Sequence, residues 1–180
     1  MCGMAAAGLV QGLIRDIPDF PEPGIVYKDI TPLLADPIGF DVAVTAMAEP
    51  WSGHELDLVI GIEARGFLFG STVARQLGLG FVPVRKPGKL PFSTSSVDYG
   101  LEYGSDTLEI HTDAIGPGQR ALVIDDILAT GGTAAATAEL VRRHGGVLVG
   151  FGFLLELDFL GGRARLDGAI VESLVSVGGD

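Results

Sequence analysis

A chain of 180 residues with 47% apolar content can bury a sizeable core in one unit without disulfide or metal staples. Its single cysteine, Cys2, excludes an internal disulfide framework and a cysteine-based zinc cluster, which predicts a reducing, cytoplasmic setting. A formal charge of -11 argues against nucleic-acid and membrane-surface binding, because both rely on a basic face. The opening residues are mildly apolar, with no basic leader and no run long enough to span a bilayer. They read as a frayed lead into a helix over 9–16. Asp16 to Gly24, with Pro18, Pro21 and Pro23, reads as an extended turn region. Asp36-Pro37 supplies an N-cap followed by proline at the first helical position, and predicts a helix to about Ala48.

Asp57 to Ile62 is a short apolar run that predicts a buried strand, and 66–77 a helix closed by Gly78. Phe81 to Arg85 is a second strand. The stretch 86–104, rich in Pro, Ser and Gly, reads as a long binding loop or lid. Thr107 to Thr112 alternates like a half-exposed strand, and 121–125 is a further strand. A helix over 134–144 ends at Gly145-Gly146, and a strand follows over 147–155. Strands alternate with helices, so the expected fold is α/β with a central, mostly parallel sheet flanked by helices. In such sheets ligands bind at the carboxyl ends of the strands. Residues 63–66, 85–86 and 125–126 should therefore share one rim.

The most informative run is Ala121-Leu-Val-Ile-Asp-Asp-Ile-Leu-Ala-Thr-Gly-Gly-Thr133. An apolar strand is expected to stop at two carboxylates and turn through Ala129, Thr130, Gly131, Gly132 and Thr133 into an Ala-rich helix. Glycine tolerates the dihedrals that let successive N–H groups face one phosphate, and the helix adds its positive end. Asp125 and Asp126 suit vicinal sugar hydroxyls, since carboxylates only accept hydrogen bonds. The run asks for a phosphorylated sugar. No Walker loop competes, because Gly88-Lys89 is followed by Leu90. All three lysines, Lys28, Lys86 and Lys89, fall in Gly/Pro-rich segments, where they would focus anionic substrates against an acidic background.

This run resembles the 5-phosphoribosyl-1-pyrophosphate (PRPP) loop of type I phosphoribosyltransferases. With Ile17-Pro-Asp-Phe-Pro-Glu-Pro-Gly-Ile-Val-Tyr-Lys28, Glu63-Ala-Arg-Gly-Phe-Leu-Phe-Gly70, Arg85-Lys-Pro-Gly-Lys-Leu-Pro91 and Leu101-Glu-Tyr-Gly104, the chain from about Ile14 to Gly161 is similar to the adenine phosphoribosyltransferases. The resemblance implies a small N-terminal hood over the base (about 9–35), a mobile catalytic loop (86–104) and a PRPP loop (121–133). It implies adenine contacts from Val26, Tyr27 and Lys28, and pyrophosphate contacts from Ala64, Arg65, Arg85, Lys86 and Lys89. One or more of Arg85, Lys86 and Lys89 is expected from the neighbouring subunit of a homodimer. Ribose-phosphate contacts are implied for Asp125, Asp126 and 129–133. Arg65, Glu102 and Tyr103 are expected to act in catalysis, Glu102 as the base that takes adenine's proton. A cis non-proline peptide is frequent in the loop that carries the arginine.

The implied reaction joins adenine to PRPP and releases AMP and pyrophosphate. Magnesium would be held mainly by PRPP, with no dedicated protein ligands. Two departures stand out: Glu63-Ala64 replaces a frequent Asp-Ser, and Tyr27-Lys28 stand where Phe and Arg are frequent. Lysine cannot reproduce an arginine fork at position 28. A 6-oxopurine phosphoribosyltransferase and a non-catalytic PRPP-sensing regulator remain as alternatives.

Overall fold

The computed structural model describes residues 2–100, 105–166 and 168–178. Its centre is a five-stranded parallel sheet in the order β4-β3-β7-β8-β9, with β3 at Leu58–Ile62, β4 at Gly80–Val84, β7 at Arg120–Leu128, β8 at Val147–Leu157 and β9 at Ile170–Val177. Side chains alternate between faces along each strand. Leu58, Ile60, Ala121 and Val123 pack on one side with Ala134, Ala138 and Val141. Val59, Leu122 and Ile124 pack on the other with Val44, Phe69 and Val73. Both faces are covered, which explains why these strands read as continuous apolar runs.

The first of these layers is helix α5 (Gly132–Arg143), and the second is built by α1 (Cys2–Gly12), α3 (Pro37–Ala48) and α4 (Gly66–Leu77). Asp36 caps α3 as expected, its carboxylate accepting the Gly39 N–H at 2.7 Å, with Pro37 at the first position. α4 closes on Gly78, whose φ of 71° permits the left-handed turn.

Several boundaries differ from the sequence expectations. The first helix occupies Cys2–Gly12 and not 9–16, because the Ala5-Ala6-Ala7 run favours helix earlier. Residues Arg15–Ile17 instead form β1, antiparallel to β2 (Tyr27–Asp29). Opposite charges face each other across this ribbon, with Arg15 on Asp29 at 2.6 Å and Lys28 on Asp16 at 2.8 Å. Lys28 thus stands on a strand and not in an irregular segment. A short helix α2 (Thr31–Ala35) was not expected.

The stretch 86–104 is only partly a loop, since Thr94–Gly100 forms β5, paired with β6 (Ser105–His111) in a hairpin. Val97 is buried while Ser96 and Asp98 are exposed, a period-2 pattern hidden by serine-rich composition. β7 does not stop at the two carboxylates: Asp125, Ile127 and Leu128 continue the ladder against Phe153, Leu155 and Glu156. Helix α5 begins at Gly132, two residues before the expected start. β9 also had no counterpart among the expected elements, although Ile170-Val171 and Leu174-Val175 have strand composition.

Candidate active site

The strand order creates the site. β3 leads through α4 to β4 on one side, whereas β7 leads through α5 to β8 on the other. The chains leaving the carboxyl ends of β3 and β7 diverge there, and a crevice opens between them. A cavity of about 250 Å³ fills that crevice, lined by Glu63, Ala64, Arg65, Lys86, Tyr99, Asp125, Asp126, Ala129 and Thr133. A smaller hollow of about 70 Å³ adjoins it, lined by 127–134 with Asp125 and Phe153.

Gly131 has φ 78° and precedes the first turn of α5, so its neighbours' N–H groups reach the helix start without a side chain in the way. A second glycine supports the loop from behind: a Cβ on Gly162 would stand 2.1 Å from the Ala129 carbonyl oxygen. Gly66 admits Asp125 in the same manner, since a Cβ there would lie 2.6 Å from its Oδ1. The short helical turn at Gly162–Arg165 is held by Arg163, which reaches Glu156 at 2.5 and 2.9 Å, with Ser173 donating to the same carboxylate.

The acidic pair is electrostatically loaded. Burial first, and then the charge of Asp126, push the Asp125 carboxyl well above its ordinary range. Burial also raises Asp126, with Arg65 opposing it. Arg65 Nε stands 2.8 Å from Asp126 Oδ2. That oxygen is buried and receives no aligned hydrogen bond among the described residues, so the contact is an ion pair through space. Arg65 follows a cis Glu63-Ala64 peptide, the feature expected of this loop, and donates from Nη1 to the Tyr27 hydroxyl.

Arg85 and Lys86 already have partners. Arg85 donates to both Glu63 oxygens at 3.1 and 3.2 Å, and the Lys86 N–H reaches Glu63 at 3.0 Å. Burial disfavours the Glu63 charge, yet these donors outweigh it and hold its pKa below the usual value. Lys86 pairs with Asp106 and lies 3.2 Å from the Tyr99 hydroxyl.

Of the expected site residues, Ala64, Arg65, Lys86, Asp125, Asp126, Ala129 and Thr133 line the main cavity, and Thr130, Gly131 and Gly132 line the adjoining hollow. Arg85 and Lys89 stand outside both linings, and Lys89 is exposed. Tyr27 reaches the cleft through Arg65, while Val26 is exposed and Lys28 is tied to Asp16. Glu102 and Tyr103 lie outside the described residues.

Sequence reasoning did not select Tyr99, Asp106 or Gly162. Tyr99 and Asp106 are cross-strand partners. The period-2 pattern of β5 was the signal that could have paired them. Gly162 makes a contact across the fold and leaves no local trace. A larger cavity, about 340 Å³, lies between α1, α3 and β9. Its lining holds Glu49 and Glu172 and no basic side chain, which is the wrong charge for a phosphorylated ligand.

Residues 43–165 match the family described as the phosphoribosyl transferase domain. The adenine phosphoribosyltransferase of Thermobifida fusca is 54% identical over 169 residues, covering 94% of this chain and 96% of its own. The crystal structure of adenine phosphoribosyltransferase from Thermoanaerobacter pseudethanolicus superposes with a TM-score of 0.93 at 51% identity, covering 95% of this chain and 99% of that one. The Saccharomyces cerevisiae enzyme, solved with an imino-altritol bisphosphate and adenine, gives a TM-score of 0.89 at 41% identity over the same shares. With the 129–133 loop, the acidic pair and the arginine loop meeting in one crevice, these likenesses show that the chain belongs to the phosphoribosyl transferase family, and within it to the adenine phosphoribosyltransferases.

Proposed function

We propose that the chain transfers the 5-phosphoribosyl group of PRPP to N9 of adenine, releasing pyrophosphate and forming AMP. The observation that carries this reading is the crevice itself: a phosphate-cradling loop, two carboxylates and an arginine converge there beneath the strand of Tyr27. The loop at 129–133 would hold the 5-phosphate throughout. Binding energy at that remote anchor positions the reacting centre. Asp125 and Asp126 would accept hydrogen bonds from the ribose 2- and 3-hydroxyls.

Departure of pyrophosphate should run ahead of attack, passing through an oxocarbenium-like ribose as in glycoside chemistry. Arg65 and Lys86 would stabilise charge on the leaving group. The present carboxylate partner of Lys86 would be exchanged for phosphate oxygens as substrate enters, while Arg65 would use the Nη donors that Asp126 and Tyr27 leave free. The ring of Tyr27 would pack on the base while backbone groups near Val26 and Lys28 read its edge. Glu102, with Tyr103 beside it, would take the N9 proton as the new bond forms, and the part of the 86–104 segment outside β5 would close to exclude water.

Magnesium fits this site as a companion of PRPP. Mg²⁺ usually keeps several waters and binds substrate phosphates, so PRPP itself would hold it in the main, and the carboxylates of Asp125 and Asp126 lining the same cavity would favour a cation beside them. Bound there, it would supply further neutralisation of the pyrophosphate charge.

We further propose a homodimer in the cytoplasm, the whole chain acting as one catalytic unit. The exposed Lys89, outside the linings of its own chain's cavities, supports a role across the subunit boundary. No described helix is long and apolar enough to cross a membrane. The test is nucleotide formation from PRPP and Mg²⁺ with adenine, hypoxanthine, guanine or xanthine, separated by chromatography. AMP from adenine alone is expected. A different nucleotide would move base recognition away from 26–28, and none from any base would overturn the catalytic reading.

A further inference from the structure

The residue at position 27 is a tyrosine where the family frequently has phenylalanine, and its extra oxygen is engaged. The hydroxyl accepts a hydrogen bond from Arg65 Nη1, and the guanidinium carbon lies 5.4 Å from the ring centroid. The same guanidinium is held at its other end, Nε standing 2.8 Å from Asp126 Oδ2. Tyr27 is itself positioned by the β1-β2 ribbon, where it pairs with Ile17, and by an edge contact from Phe20 at 5.2 Å. A continuous chain of contacts therefore runs from the strand placed over the base to the acidic pair placed on the ribose.

We propose that the Tyr27 hydroxyl is a positioning group that couples the base site to the PRPP site through Arg65. This rests on the phosphoribosyl reading given above. Arginine has only donors, and a phenol oxygen accepts one of them while keeping its own proton to donate. Bracketed between Asp126 and Tyr27, the fork of Arg65 loses rotamer freedom before pyrophosphate arrives, and its free Nη donors are preorganised. A base stacked on Tyr27 steadies the ring, the ring steadies the fork, and the fork binds pyrophosphate more tightly. The effect is reciprocal by linkage, so PRPP must tighten the base by the same factor. A phenylalanine at 27 would keep the stacking face and delete the link.

The test is calorimetric titration of PRPP with Mg²⁺ into wild type and Tyr27→Phe, each with and without saturating 9-deazaadenine. That base carries carbon in place of N9, so no transfer follows. In the wild type the analogue should tighten PRPP about tenfold, equivalent to ~1.4 kcal/mol. In Tyr27→Phe the tightening, read as the ratio of the two PRPP affinities measured on that same variant, should fall below about twofold, under the roughly fivefold at the low end of usual coupling. Should the variant fold poorly, Arg65→Lys keeps the charge, removes the fork and should uncouple the sites as well. Full tightening in Tyr27→Phe, or none in the wild type, overturns the coupling. Failure of the wild type to bind PRPP at all overturns the phosphoribosyl reading on which it rests.

Discussion

Two adjacent glycines separate two ways in which a backbone can resist a methyl group, and only one of them bears on the PRPP loop. A Cβ on Gly162 would meet the Ala129 carbonyl oxygen at 2.1 Å and the Gly131 nitrogen at 2.9 Å. The first distance is short of an ordinary ~3.5 Å contact by roughly 1.4 Å, and the neighbour is backbone, which cannot rotate aside. Gly162→Ala must push the 129–131 turn or the 161–165 turn out of place. Overpacking of this kind costs about 1–3 kcal/mol. For a chain of this size that corresponds to roughly 2–12 °C in Tm. Because the displaced atoms belong to the loop proposed to hold the 5-phosphate, PRPP affinity should fall as well, by about tenfold for a loss of ~1.4 kcal/mol. Gly161 is the control: its φ is 63°, yet nothing lies within 4 Å of a Cβ. Gly161→Ala should cost about 1–2 kcal/mol from the left-handed backbone alone. Its PRPP affinity should be unchanged. Urea denaturation and PRPP titration on both variants give the comparison. Wild-type stability and affinity in Gly162→Ala, or equal loss of PRPP affinity in both variants, would refute the packing argument.

Three further expectations follow from the site. Asp126→Ala should weaken PRPP by about 10–100-fold, the loss of a charged hydrogen-bond acceptor; full affinity by titration would remove Asp126 from the hydroxyl clamp. Glu102→Gln should lower kcat by about 10²-fold or more with a smaller change in PRPP KM, and an unchanged kcat in steady-state assays would shift the proton-accepting role to Tyr103, water or a backbone group. Glu156 is held below its usual 4.5, first by the hydrogen bond from Arg163. A carboxyl lowered in the folded state stabilises fully above the unfolded value, and that contribution disappears as pH falls through the folded one. Glu156→Gln should therefore cost about 1–2 kcal/mol near neutral pH, discounted for the half-exposed arginine. The gap in Tm from wild type should close as the pH drops below 4.5, and a gap constant with pH would show that the ion pair contributes nothing there.

How much of this was legible beforehand depended on whether the cause was local. Asp36 and Pro37 announce a helix start because capping and a fixed φ act within one turn. The thirteen residues ending at Thr133 announced a strand, a glycine turn and a helix because those signals are consecutive in the chain. Hidden features had partners elsewhere. The ladder that carries β7 past Asp126 to Leu128 depends on Phe153 to Glu156, and a serine-rich strand such as β5 becomes a strand only when β6 lies beside it. Propensity is a weak guide where pairing decides.

By itself, then, the amino-acid order determined the α/β class, the parallel sheet and the family, since apolar periodicity, capping and contiguous motifs are short-range properties. Tertiary structure alone decided which cations face the cleft and what holds them. It set Arg65 between Asp126 and Tyr27, Lys86 on Asp106 and Arg85 on Glu63. It also brought Gly162 under the turn of the cradle, 30 residues and more along the chain from Ala129 and Gly131. Contacts between distant segments depend on strand order and on how closely two backbones can approach, and no local pattern of residues encodes either.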